Sequence, residues 1–200
     1  MRNVQNSTAK LHCPLLFAFA SLFAVAPALA QTGSAFPPAC QSAEARQFDF
    51  WLGEWNIVQE ILQADGTWLK LDAATKVSRA LDGCALLESW EGKVLFFWEG
   101  MKTAELLRGM SVRAYDAEKK KWSLHWMDTR HPQFAVFEGS FANGIGTFLR
   151  ATTTAQHQPR LTRIMFSEIT ASSVRWELAI STDAGANWQP LWVMNMQRKK

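Results

Sequence analysis

The chain has 200 residues, 48% of them apolar and 20% charged, with a formal net charge of +3. That is enough length for one domain with a sizeable core, and too little net positive charge to support nucleic-acid binding by bulk electrostatics. Ten tryptophans stand against a single tyrosine, an aromatic load that calls for a large core or a ligand-lined interior.

Arg2 and Lys10 frame a positive start. An apolar run follows from Leu15 to Leu29, broken by Ser21 and Pro27, and Ala28-Leu29-Ala30 supplies the small-x-small pattern that signal peptidase reads. Residues 1–30 are therefore predicted to be a signal peptide cut before Gln31, and the protein to be exported to the periplasm or beyond. The run falls short of the ~20 apolar residues of a spanning helix, so no membrane span is expected after cleavage. Cleavage takes Lys+Arg from 21 to 19 against 18 Asp+Glu, a net charge of +1. Cys40 and Cys84 survive it, and in an oxidising compartment an even pair reads as one disulfide; two separately buried thiols are the alternative.

Residues 31–41, with Gly33, Pro37 and Pro38, read as a linker, and residues 42–200 as one domain. Ser42 is placed to cap a short helix through Gln47, with Phe48, Trp51 and Leu52 on its apolar side and Gly53 at its end. From Trp55 the period becomes two: Trp55, Ile57 and Gln59 point one way, Asn56, Val58 and Glu60 the other. Ala64-Asp65-Gly66 is a hairpin signal, with a return strand from Thr67 to Ala80. Leu81-Asp82-Gly83 turns into a strand from Cys84 to Trp90, which Glu91-Gly92 is expected to break. Val94 to Met101 is a continuous apolar run, either a strand buried on both faces or a loop across a pocket mouth.

Further strands are predicted over 106–115, 122–128, 134–141, 145–153, 160–169, 174–181 and 188–197, with turns at Asp116 to Lys121, Ala142-Asn143-Gly144, Gln156 to Pro159 and Thr182 to Asn187. The total is about ten strands and one short helix. No βαβ spacing occurs, so parallel α/β folds are disfavoured. An antiparallel meander of this length closes into a barrel or splits into a sandwich.

Phe48-Asp49-Phe50-Trp51-Leu52-Gly53-Glu54-Trp55 resembles the Phe-x-Phe-Trp-Leu-Gly-x-Trp opening of a family of uncharacterised bacterial secreted lipocalin-like (calycin-like) β-barrel domains of unknown function. Leu81 to Trp90, Tyr115-Asp116 with Trp122 to Asp128, Glu138-Gly139, and Ser181 to Trp188 are similar to its later motifs in order. The resemblance covers residues 48–198. It implies an all-β, antiparallel calycin-like barrel with the short helix stopping one end, and it implies no activity. The chain departs from the family pattern after Trp90, where Phe and Trp replace a glycine-rich segment.

In such a barrel Trp51, Trp55, Trp90 and Trp126 are candidate apolar walls for a small, partly apolar ligand. Arg113 and Glu138 are candidate polar contacts from the interior, since a buried charge must be paired or hydrogen-bonded. His125, on a strand flanked by Trp122, Leu124 and Trp126, is a candidate haem ligand or general base, with an outward-facing strand histidine as the plainer reading. No Gly-x-Ser-x-Gly elbow exists, and neither His131 nor His157 has companions at metal-ligand spacing, so no metal and no cofactor are predicted. Asp183-x-Gly185 is a turn that could hold a cation or simply close a hairpin. The leading expectation is a binding module. The alternatives are a hydrolase or isomerase using His125 with a carboxylate, and an envelope structural or interaction protein that docks through an exposed Val94–Met101 run.

Overall fold

The computed structural model describes residues 40–154 and 157–200. The predicted signal peptide and most of the predicted linker lie outside the described residues. Ten strands follow one another: β1 Gly53–Leu62, β2 Trp68–Ala80, β3 Ala85–Val94, β4 Glu105–Asp116, β5 Lys121–Asp128, β6 Ala135–Ala142, β7 Ile145–Thr153, β8 Pro159–Ser167, β9 Ser173–Ser181 and β10 Gln189–Arg198. Each pairs antiparallel with the next, and β1 closes onto β10 from Trp55↔Arg198 to Ile61↔Trp192. The result is a closed calycin-like barrel with no free sheet edge.

Alternation decides which residues fill it. On β1, Trp55, Ile57, Gln59 and Ile61 are buried inside while Glu54, Asn56 and Val58 are exposed, as the period of two requires. The same alternation carries Leu86, Glu88 and Trp90 inward on β3, and Trp122 and Leu124 inward on β5. The sequence alone ended β3 at Glu91-Gly92, but the strand continues to Val94. Gly92 stays in the ladder opposite Ala73 and Leu107. A Cβ there would stand 2.5 Å from Ala73 Cβ and 2.9 Å from the Trp90 ring, so this glycine makes room for Trp90 rather than breaking the strand.

The expected short N-terminal helix is present and takes 3-10 form in two turns, Glu44–Arg46 and Asp49–Trp51. Three residues per turn aligns positions i and i+3, and this puts Phe48 and Trp51 on one side, both driven fully into the barrel end. Phe48 meets Trp122, Phe141 and Phe166 edge to face at 4.8–5.2 Å, and Trp51 stacks on Trp55 at 5.5 Å. The plug is tied twice. Cys40 and Cys84 form a disulfide, Cα atoms 5.0 Å apart. Arg198 stacks over Trp55 at 4.2 Å and donates to the carbonyls of Leu52, Phe50 and Ala171. Arg198 is therefore a clasp.

Val94 to Met101 resolves as strand end plus loop. A 3-10 turn over Phe97–Glu99 ends at Gly100, whose φ of +73° favours glycine. Phe96 and Met101 are buried over the other barrel end, Phe96 against Trp192 at 5.0 Å and Trp98 at 4.8 Å. That burial against its own barrel removes the run as an exposed docking patch. The Asp183 turn is likewise self-contained. Its carboxylate accepts from Ser181 Oγ, Asn187 N and Asn187 Nδ2 at 2.7–2.9 Å, which engages the oxygens a cation would need.

Candidate functional site

The buried polar centre of the barrel is Arg113 on β4. Its inward position follows from the register: Arg113 sits opposite Leu86 and Leu124, both of them inside. Its partner is Glu88, two residues before Trp90 on the same face of β3. The guanidinium Nη2 donates to Glu88 Oε2, and both side chains are about 95% buried, at 5% and 6% exposure. Glu88 also accepts from Ser111 Oγ at 2.8 Å and Thr75 Oγ1 at 3.0 Å, so both of its oxygens are engaged. Phe48, Trp51 and Phe166 rings lie 5.1–5.3 Å from the guanidinium carbon, within cation–π range. Burial pulls the Arg113 pKa below its ordinary value, and the Glu88 carboxylate opposes that pull.

The network is unfinished on the donor side. Among the described residues, Arg113 Nε and Nη1 are buried without a hydrogen-bond acceptor, and so are the indole nitrogens of Trp51 and Trp90. Each orphaned donor costs on the order of 1–3 kcal/mol in desolvation, and native interiors rarely leave such groups unmatched. Three other interior indoles are served. Trp55 donates to the Trp51 carbonyl at 2.9 Å, Trp126 to Asp128 at 2.9 Å, and Trp192 to the fully buried Gln59 at 2.8 Å.

Trp51, Trp55 and Trp90 all lie in the interior, with Trp126 half-buried against it. Trp90 packs edge-on to Trp126 and Trp192 at 6.2 and 5.6 Å beneath the Phe96 loop. Glu138 does not join them. It is exposed, because Phe137 and Phe141 take the inward positions on β6; the acid that meets Arg113 is Glu88. His125 also faces outward, between Leu124 and Trp126, and its Nε2 meets only the Ser123 hydroxyl at 2.6 Å. Among the described residues no carboxylate hydrogen-bonds to it, so it does not form the acid–base pair that the enzymatic alternative requires.

Glu88, Ser111 and Thr75 escaped the sequence reading. The signal for Glu88 was Leu86-x-Glu88-x-Trp90, an acid between two inward apolar positions. Among the described residues, no group of three or more His, Cys, Asp or Glu is placed to hold a metal, and no helix is long and apolar enough to cross a membrane.

A groove of about 410 Å³ lies beside the plug, lined by Ser42, Glu44, Gln47, Tyr115, Lys120 and Phe141. A second, of about 340 Å³, runs past Phe50, Asn143 and Ile169. Neither touches Arg113. The opposite mouth is covered by the β3–β4 loop, where Glu99 is held by Arg130 Nε at 3.2 Å and Arg130 also reaches Glu105 at 3.1 Å.

No family model matches the chain, and no curated protein matches it. Among solved structures it is similar to the S-type phycobiliprotein lyase CPES from Guillardia theta, at 16% identity over 76% of this chain and 90% of that one, with a TM-score of 0.48. It is also similar to a protein of unknown function from the DUF3598 family of Nostoc punctiforme, at 7% identity over 79% of this chain and 100% of that one, with a TM-score of 0.28. At identities and TM-scores this low, neither says what this chain binds or does.

Proposed function

We propose that the protein is an exported binding module of the secreted lipocalin-like class, which holds a small, partly apolar ligand inside the barrel. One observation carries this reading: four buried donor nitrogens, on Arg113, Trp51 and Trp90, lack an acceptor in the aromatic interior. A ligand oxygen set among them would relieve several of those penalties at once. Trp51 and Trp90 are also apolar walls, which gives the mixture of apolar lining and a few placed polar groups typical of small-molecule sites. Export is supported by the disulfide, since such bonds persist in oxidising compartments.

Because side chains fill the barrel, entry requires a segment to move. The β3–β4 loop is the segment we assign, since Phe96 and Met101 cover Trp90 and Trp192 and its outer latch is the Glu99–Arg130 pair. The test is to incubate the disulfide-bonded protein with lipid extract and with lipophilic dyes, then to follow tryptophan fluorescence and native mass. A quenched signal together with a retained small-molecule mass is expected. Unchanged fluorescence and a bare-chain mass across the panel would refute the reading.

A further inference from the structure

The charge state of the ligand can be read from what already neutralises Arg113. We infer that the site accepts the oxygen of a neutral carbonyl, a ketone or ester on an apolar skeleton, in preference to a carboxylate or an alcohol. This rests on the binding reading above and adds the chemical class. Glu88 supplies the one counter-charge that Arg113 needs, and the pair sums to zero inside an apolar barrel. The rest of the guanidinium's surroundings are the rings of Phe48, Trp51 and Phe166. A ligand carboxylate would place a second negative charge there with no cation to match it, and an uncompensated buried charge is among the costliest groups an interior can hold.

The direction of the missing hydrogen bonds narrows the class further. Arg113 Nε and Nη1 and the two indole nitrogens are all donors, and neither guanidinium nor indole can accept. Glu88 Oε1 and Oε2 are taken by Thr75, Ser111 and Arg113. An alcohol or primary amide would bring its own donor into a wall whose open groups are all donors. A ketone or ester oxygen accepts and donates nothing. Its two lone pairs can accept from a guanidinium N–H and from an indole N–H, and the Trp51 ring lies 5.2 Å from the guanidinium carbon.

Two probes of equal length test the assignment, 2-decanone and decanoate, titrated into the full-length disulfide-bonded protein at pH 8 with tryptophan fluorescence as readout. The ketone is expected to bind at least ~10-fold more tightly, a difference of ~1.4 kcal/mol. Carbonyl-labelled 2-decanone should show its C=O stretch at lower frequency when bound than in hydrocarbon solvent. Decanoate binding as tightly as the ketone, or more tightly, overturns the carbonyl assignment and leaves the binding module standing. Failure of both probes, with an infrared difference spectrum showing no bound carbonyl, overturns the carbonyl assignment; the binding reading falls only if the lipid and dye panel also leaves fluorescence and mass unchanged. Glu88→Gln leaves Arg113 without its counter-charge, and the order of the two probes should reverse. If that variant does not fold, the wild-type comparison decides.

Discussion

Replacing Glu88 by Leu, Arg113 by Met, and both together tests how the barrel tolerates its ionic centre. Either single change leaves a buried group without its main partner. With both side chains about 95% buried, breaking the pair is expected to cost about 3–5 kcal/mol, a large share of the ~5–15 kcal/mol by which a domain of this kind is stable. Glu88→Leu also removes the acceptor of the Ser111 and Thr75 hydroxyls, so it should be the worse of the two. The double change Glu88→Leu with Arg113→Met removes both charges and leaves hydrophobic volume, and such replacements run from neutral to stabilising. It should fall within about 2 kcal/mol of wild type, giving a coupling energy of several kcal/mol by double-mutant cycle. The assay is urea denaturation with the disulfide intact, followed by tryptophan fluorescence and far-UV circular dichroism. If the double variant loses the sum of the two single losses, the pair is not an electrostatic unit and the reasoning fails. A double variant as stable as wild type that no longer binds 2-decanone would mean that the polar centre serves the ligand and not the fold.

Four further outcomes are expected. Cys40→Ser with Cys84→Ser opens a loop of 44 residues and should lower stability by roughly 4 kcal/mol in the chain-entropy form, measured as a drop in the urea midpoint. Gly139→Ala sets a Cβ into the backbone oxygen of Thr147 and 2.7 Å from Phe148 Cα; a shift of β6 against β7 costing about 1–3 kcal/mol should follow, whereas a loss under ~0.5 kcal/mol would mean the ladder is looser than its register. Asp183 has its pKa held down to about 2 from 3.8 by the Asn187 backbone N–H and the Ser181 and Asn187 side chains. A depressed acid contributes stability that is full above its unfolded pKa and lost as pH falls through the folded one, so wild type and Asp183→Ala should converge in stability between about pH 4 and pH 2, read from acid-unfolding curves. Glu99→Gln breaks a partly exposed ion pair with little effect on stability, about 0–1 kcal/mol, and should speed both entry and release of 2-decanone in stopped-flow fluorescence; unchanged rates would remove the loop as the gate.

Much of the architecture was local and therefore visible in the chain. Turn chemistry at Asp65-Gly66, Leu81-Asp82-Gly83, Asn143-Gly144 and Asp183 to Asn187 marks where strands reverse, and alternation such as Trp55-x-Ile57-x-Gln59 marks the strands themselves. Cys40 and Cys84 were paired by compartment and count alone, and Arg113, one candidate among several for the interior, is buried there. Glu138 was not, although Phe137-x-Gly139-x-Phe141 carries the cue: when large apolar residues hold one parity, an acid on the other faces water. His125 follows the same rule, with Leu124 and Trp126 on the inward parity.

What the chain could not give is everything that depends on closure. A strand's own pattern shows two faces but not which neighbour lies across the ladder. Glu88 meets Arg113 only because β3 and β4 align Leu86 with Arg113 and Glu88 with Ser111. Arg198 becomes a clasp only because β10 returns beside β1. The loop from Leu95 to Met101 closes a mouth only because Trp90 and Trp192 converge beneath it. The residue types and their periods are sequence properties, since they arise from bonding within a few positions. The charge balance at Arg113, and the four donors left without acceptors, are tertiary properties: they are set by groups that meet from strands far apart in the chain, in a space from which water is excluded.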